Sequence, residues 1–244
     1  ISKLLADDWR ERMDVWRSLA ETCQRMTNFF WQQWLIHHIQ DGTPKKIRDY
    51  LATPKEERGK FDTKPVSKEL NSEISKQVRS EFPELNARPT GLLLNDLVGK
   101  VSSRKAAKGN LSGWWAILLN RESIPSSTRP IPIPFDTDNA QLLGPDKPGG
   151  DWILELRVDR IPGDSKRATS TLDRCVLWTR GRRMGGQLAI LRRIVSGEYK
   201  FSGSSLQYSE SKRKWFAAIC YQRPDAEQIK GDGTAVLLPG RRSP

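Results

Sequence analysis

Apolar residues at Leu5, Trp9, Met13, Trp16, Leu19, Cys23, Met26, Phe30 and Trp34 step by three or four along the first forty residues. That period puts them on one stripe of a single long helix. Asp7, Asp8 and Glu11 fall early, where negative charge suits a helix N-terminus, and Asp41-Gly42-Thr43-Pro44 stops it. At about 1.5 Å per residue such a helix is roughly 55 Å long, a spine more than a member of a compact bundle. Residues 43–66, broken by Pro44, Pro54, Gly59 and Pro65, read as loops and short turns. A helix is expected near Lys68–Ser80, capped by Ser67 and ended before Pro83. Another is expected from Thr90 to about Lys108 on the apolar run from Leu92 to Val101. It finishes in Arg104, Lys105 and Lys108, a cationic last turn before Gly109. Leu111–Asn120, with Trp114 and Trp115, closes this helical half.

The pattern changes after Ser123. Prolines at 125, 130, 132 and 134 make the segment around Ile131-Pro132-Ile133-Pro134-Phe135 unfit for a helix interior. Trp152–Val158 alternates as a strand does. Short strands are also expected at Cys175–Trp178, Leu188–Leu191, Ser204–Tyr208 and Trp215–Tyr221, each bounded by Gly, Ser, Asp or charged pairs. Residues 224–244 lack a period and read as a linker that can hold one short strand, Ala235–Leu238. The expected fold class is therefore α+β, a helical half over 1–123 and a small antiparallel β-barrel over 124–223.

Charge sharpens this picture. Lys and Arg number 41 against 29 Asp and Glu, a net charge of +12, which selects polyanionic partners. Ten basic residues against three acidic ones give residues 160–200 a net of +7, more than half of the total in one sixth of the length. Arg180, Arg182 and Arg183 sit in a Gly-rich turn, Arg192 and Arg193 follow, and Lys212-Arg213-Lys214 leads into Trp215. Guanidiniums fork onto phosphate oxygens and stack on bases, so cations beside an aromatic strand suit a ribose-phosphate chain. Arg104, Lys105 and Lys108 form a smaller cluster of the same kind. The bland alternative is a solvated basic hairpin with tryptophans in the core. For Trp9, Trp16, Trp31 and Trp34 core packing is the expected role.

Enzyme chemistry finds little support. Among the motifs sought, the chain has no G-x-G-x-x-G, no phosphate-binding G-K-[ST], no G-x-S-x-G and no Cys-x-x-Cys. The two histidines, His37 and His38, are helix neighbours pointing about 100° apart, a poor pair for one metal. Asp151, Glu155 and Asp159 share a strand face and could hold a cation, or simply face solvent. Cys23, Cys175 and Cys220 are odd in number and far apart, which points to reduced thiols and a cytoplasmic setting. No run approaches the roughly 18 apolar residues of a membrane span. The chain opens at Ile1 and closes without finishing an element, so it is expected to be a piece of a longer polypeptide.

The order of parts resembles a known family. A long helix and helical segment lead to the crossover Arg129-Pro130-Ile131-Pro132-Ile133-Pro134-Phe135. Strands follow, ending in Leu206-Gln207-Tyr208, a basic turn and Lys214-Trp215-Phe216-Ala217-Ala218-Ile219-Cys220-Tyr221, with Pro224 close behind. This is similar to the N-terminal half of type V CRISPR effectors and their TnpB relatives. The resemblance implies a recognition lobe over 1–123, a wedge domain of oligonucleotide-binding type over 124–223, and a linker over 224–244 toward a RuvC nuclease domain. It implies guide RNA and target double-stranded DNA as partners, in a prokaryotic cytoplasm. Arg180, Arg182, Arg183, Arg192, Arg193, Lys212, Arg213, Lys214 and Trp215 would meet the guide RNA; Arg104, Lys105 and Lys108 would approach the target duplex or the heteroduplex. No position matches a catalytic residue of the nuclease, and magnesium would belong to that domain alone. The competing readings are a stand-alone RNA-binding scaffold and an enzyme with its site in this chain.

Overall fold

A computed structural model describes residues 1, 3–4, 9–104, 113–147, 149–161, 170–177, 179 and 185–224. In chain order the elements are β1 (Lys3–Leu4), α1 (Trp9–Gln40), α2 (Thr43–Ala52), α3 (Lys68–Glu81), α4 (Ala87–Ser103) and α5 (Gly113–Leu118). Then come β2 (Ile133–Phe135), β3 (Ala140–Leu143), β4 (Trp152–Leu156), β5 (Asp173–Leu177), α6 (Gly185–Val195), β6 (Lys200–Phe201), β7 (Ser204–Ser209), β8 (Lys214–Ala218) and β9 (Tyr221–Gln222).

The spine is α1, 32 residues and about 48 Å long at 1.5 Å per residue. Trp16, Cys23, Met26, Phe30 and Trp34 are fully buried along it, as the period requires. At its first turns the buried stripe passes through Arg12 instead of Trp9 and Met13: Trp9 is 44% exposed and Arg12 is 8% exposed. α3 and α4 pack on α1 and on each other. The Ser67 side chain caps α3 by accepting from the Leu70 amide (3.1 Å), and Asn86 starts α4 earlier than expected. The predicted Pro-rich crossover lies along α1. Ser127 and Asn28 exchange two hydrogen bonds (2.9 and 3.0 Å), and the Ile131 amide donates to the Ala20 carbonyl.

Three of the sequence expectations differ from the structure. Residues 43–52 are a helix, because Pro44 stands in its first turn, where no amide hydrogen is needed, and Gly42 takes a left-handed φ of 69° between α1 and α2. Residues 188–191 are helical, within α6, not a strand. Leu188, Leu191 and Ile194 recur every three residues, and a four-residue apolar run alone cannot separate the two periods. Among the described residues the β half does not close into the expected barrel. β1-β5-β4-β3, β2-β7-β8 and β6-β9 form three small antiparallel sheets, none closed. With α6 standing between β5 and β6, no strand pairing among the described residues joins the sheets. The α+β class itself holds, and one continuous apolar core runs from Trp34 through Trp16 to Trp215 and Leu154.

At the far end of α1, His38 is buried. Its Nε2 donates to the Pro65 carbonyl (3.0 Å), while Nδ1 lies 3.2 Å from Thr43 Oγ1. Burial, reinforced by the positive neighbours His37 and Lys46, lowers its pKa below the ordinary 6.5, against the opposing pull of Pro65 and Asp41. The unfolded chain therefore takes up this proton first. The contribution is complete above pH 6.5 and is lost as pH falls below that toward the folded value. Thermal unfolding followed between pH 7.5 and 5 is expected to show the wild type losing stability more steeply than His38→Gln.

Candidate nucleic-acid interface

The β7–β8 hairpin aligns Tyr208 opposite Trp215 and Ser209 opposite Lys214, so its turn lifts Lys212 and Arg213 above the sheet. Arg213 takes a left-handed φ of 49°, a conformation that suits glycine or asparagine far better. The first turns of α1 bring Arg10 and Arg17 to the same place. Together with α6 and the end of β5 these elements line a groove of about 1150 Å³. Among the described residues five cationic side chains border it, Arg10, Arg17, Lys212, Arg213 and Lys214, against the one carboxylate Asp14. Asp14 accepts from Arg17 at 3.0 Å, with both side chains largely in solvent, where such a pair contributes little.

Of the five aromatic residues lining the groove among the described residues, three have a cation over the ring. Arg10 lies 5.4 Å from the Trp9 ring centre, Arg17 5.0 Å from that of Tyr208, and Lys212 5.2 Å from that of Phe216. Arg17 Nη2 also donates to the Tyr208 hydroxyl (3.4 Å), a bond that heads the causes raising its pKa. Trp215 does not offer a free face. It is 2% exposed, edge-on to Trp16 at 5.4 Å and against Tyr208 at 5.4 Å, and among the described residues its Nε1 has no hydrogen-bond partner. It stiffens the floor on which Tyr208 stands.

The other sequence candidates divide. Arg180, Arg182, Arg183, Lys105 and Lys108 lie outside the described residues. Arg104 turns inward: its Nη2 donates to Glu122 (3.2 Å) and its stem closes over Gly113, where an added Cβ would come within 2.8 Å of the Arg104 backbone. Arg193 is held by the Tyr199 hydroxyl and by Glu198 at 3.5 Å. Arg192 points to a second, smaller depression beside Lys147 and Asp146. The structure thus gathers Lys212, Arg213 and Lys214 with Arg10 and Arg17, which the sequence reading had not selected. Arg10, Asp14 and Arg17 follow an i, i+4, i+7 step on the polar side of α1, a signal that could have been found.

No constellation for bond making is present among the described residues. Glu155 accepts from Arg174 (2.9 Å), while Asp159 is taken by Arg12 and Thr171, so the carboxylate row does not converge. No three His, Cys, Asp or Glu side chains among the described residues come together as a metal site. Burial pushes the Cys23 thiol up to about 12, and raises that of Cys175 with help from Asp173, so neither is a ready nucleophile. No helix among the described residues is long and apolar enough to cross a membrane.

No protein-family model matches the chain. Over 105 residues it is 30% identical to the CRISPR-associated endodeoxyribonuclease Cas12f1 of Sulfoacidibacillus thermotolerans. That match takes in 43% of this chain and 24% of the relative, so the chain spans about a quarter of the length of the protein it matches. The sequence thus has a partial, distant likeness to a type V CRISPR effector.

Proposed function

We propose that this chain is the guide-RNA-binding and target-recognition portion of an RNA-guided, DNA-targeting effector. The similarity to Cas12f1 is the observation that carries the reading. The groove between α1, α6 and the β7–β8 hairpin adds the chemistry such a role needs: among the described residues, five cations against one carboxylate, interleaved with aromatic rings. In this reading the helical residues 1–123 form a recognition lobe and residues 124–223 a wedge. Lys212, Arg213 and Lys214, with Arg10 and Arg17, meet the RNA backbone. Sequence choice comes from guide pairing and not from these side chains, which read charge and shape. Cutting is left to the remainder of the parent polypeptide.

The test loads the chain with a hairpin RNA carrying a guide extension of about 20 nucleotides. Labelled DNA duplexes with randomised flanks are then offered, one set complementary to the guide and one mismatched. Retention of the complementary set only after RNA loading is expected. Equal retention of both sets would leave the chain an RNA-binding scaffold without a DNA role.

A further inference from the structure

We infer that the groove between α1, α6 and the β7–β8 hairpin takes unpaired nucleotides in preference to a duplex, with bases stacked at Trp9, Tyr208 and Phe216, on the ring surface left open or on the guanidinium that lies over the ring. This rests on the reading of the groove as a nucleic-acid surface. Positive charge alone would serve any polyanion, since paired and unpaired strands both present phosphates. The rings make the distinction. Bases inside a duplex have both faces covered by their neighbours, whereas unpaired bases can splay out onto aromatic faces and guanidinium planes.

Four observations favour the unpaired strand. Trp9 leaves 44% of its surface in water at the groove wall, a large apolar area for a polar helix start. Tyr208 rests on the buried Trp215, which rests edge-on against Trp16, so its ring is fixed before anything binds. Three of the six cation–ring pairs among the described residues border this single groove, and the other three are spread over the rest of the fold. The volume, about 1150 Å³, exceeds that of a usual small-molecule site of roughly 300–1,000 Å³ and leaves room for a few nucleotides. An acidic peptide would satisfy the cations but brings no planar base to stack on the guanidiniums of Arg10 and Arg17, which lie over the Trp9 and Tyr208 rings.

The test measures fluorescence anisotropy of this chain with a labelled oligo(rU) of about 12 nucleotides, alone and annealed to oligo(rA). At about 0.15 M salt the single strand is expected to bind about tenfold more tightly than the duplex. Trp9→Ala and Tyr208→Leu should each weaken the single strand about fivefold or more and leave the duplex within a factor of about two. Trp9 is exposed enough that its variant keeps the fold, and leucine at 208 keeps bulk against Trp215; far-ultraviolet dichroism checks both. Equal affinity for the two probes, indifference to both ring variants, or equal displacement by poly-glutamate overturns the inference. If Lys212→Gln with Arg213→Gln weakens both probes alike while the ring variants weaken neither, the basic groove remains a nucleic-acid surface and the preference for unpaired bases falls alone.

Discussion

Arg12→Ala is expected to cost the fold about 3–5 kcal/mol, read as a lowered midpoint of urea unfolding. Arg12 leaves α1 at a core position and donates three hydrogen bonds: Nε and Nη2 to the two oxygens of Asp173 (2.7 and 2.6 Å), and Nη1 to Asp159 (2.9 Å). Trp16 Nε1 adds a bond to Asp173, while the Thr171 amide and hydroxyl hold Asp159. Burial works against the Arg12 charge, but the two carboxylates outweigh it and raise its pKa. Alanine leaves two buried carboxylates facing a cavity with their cation gone, a charge that the low-dielectric interior does not tolerate. Single domains hold only about 5–15 kcal/mol in all, so much of the stability goes with one side chain. Arg12→Met combined with Asp159→Asn and Asp173→Asn should recover most of the loss, because it removes the stranded charges together. A loss below about 1 kcal/mol for Arg12→Ala would show that the cluster does not tie the helix to the sheet.

The same cluster shows what a linear reading can and cannot reach. The period of α1, the Ser67 cap and the alternation of β4 depend on neighbours within a few residues, and all three were legible. Arg12 was not, because its partners lie 147 and 161 residues away, and a charge on an apolar stripe looks like a break in the pattern. Local signals also misled where they were ambiguous. Pro44 punctuates a loop or opens a helix with equal ease, and Leu188–Leu191 is too short to choose a period. Strand positions for β4, β5, β7 and β8 were readable from residue type, but sheet closure depends on which edges meet, and α6 in place of a strand removed one of the expected edges. For the candidate site, the basic hairpin was visible as a run of charge. Its complement on α1, Arg10 and Arg17, is marked in the sequence only by a helical step, and its partnership with the hairpin arises when folding places positions some 200 residues apart on one groove.

Replacing Lys212, Arg213 and Lys214 together by glutamine should weaken RNA binding about a hundredfold at about 0.1 M salt. The figure follows from three partly solvated charge-assisted contacts at roughly 1 kcal/mol each. Their loss should also flatten the dependence of log affinity on log salt by about 2, at roughly 0.7 for each single-strand phosphate no longer neutralised. Filter binding over a salt series measures both quantities, and an unchanged slope would remove the hairpin from the interface. Arg213 offers a sharper form of the test. Its φ of 49° costs an arginine about 1 kcal/mol that glycine would not incur, less glycine's own loss of backbone entropy. Arg213→Gly is therefore expected to leave stability unchanged or to raise it by up to about 1 kcal/mol, while still losing part of the affinity and of the salt slope. A side chain that destabilises its own turn yet strengthens binding is one whose position serves the ligand. If Arg213→Gly instead keeps full affinity, the arginine has no such service, and the hairpin's charge falls to Lys212 and Lys214.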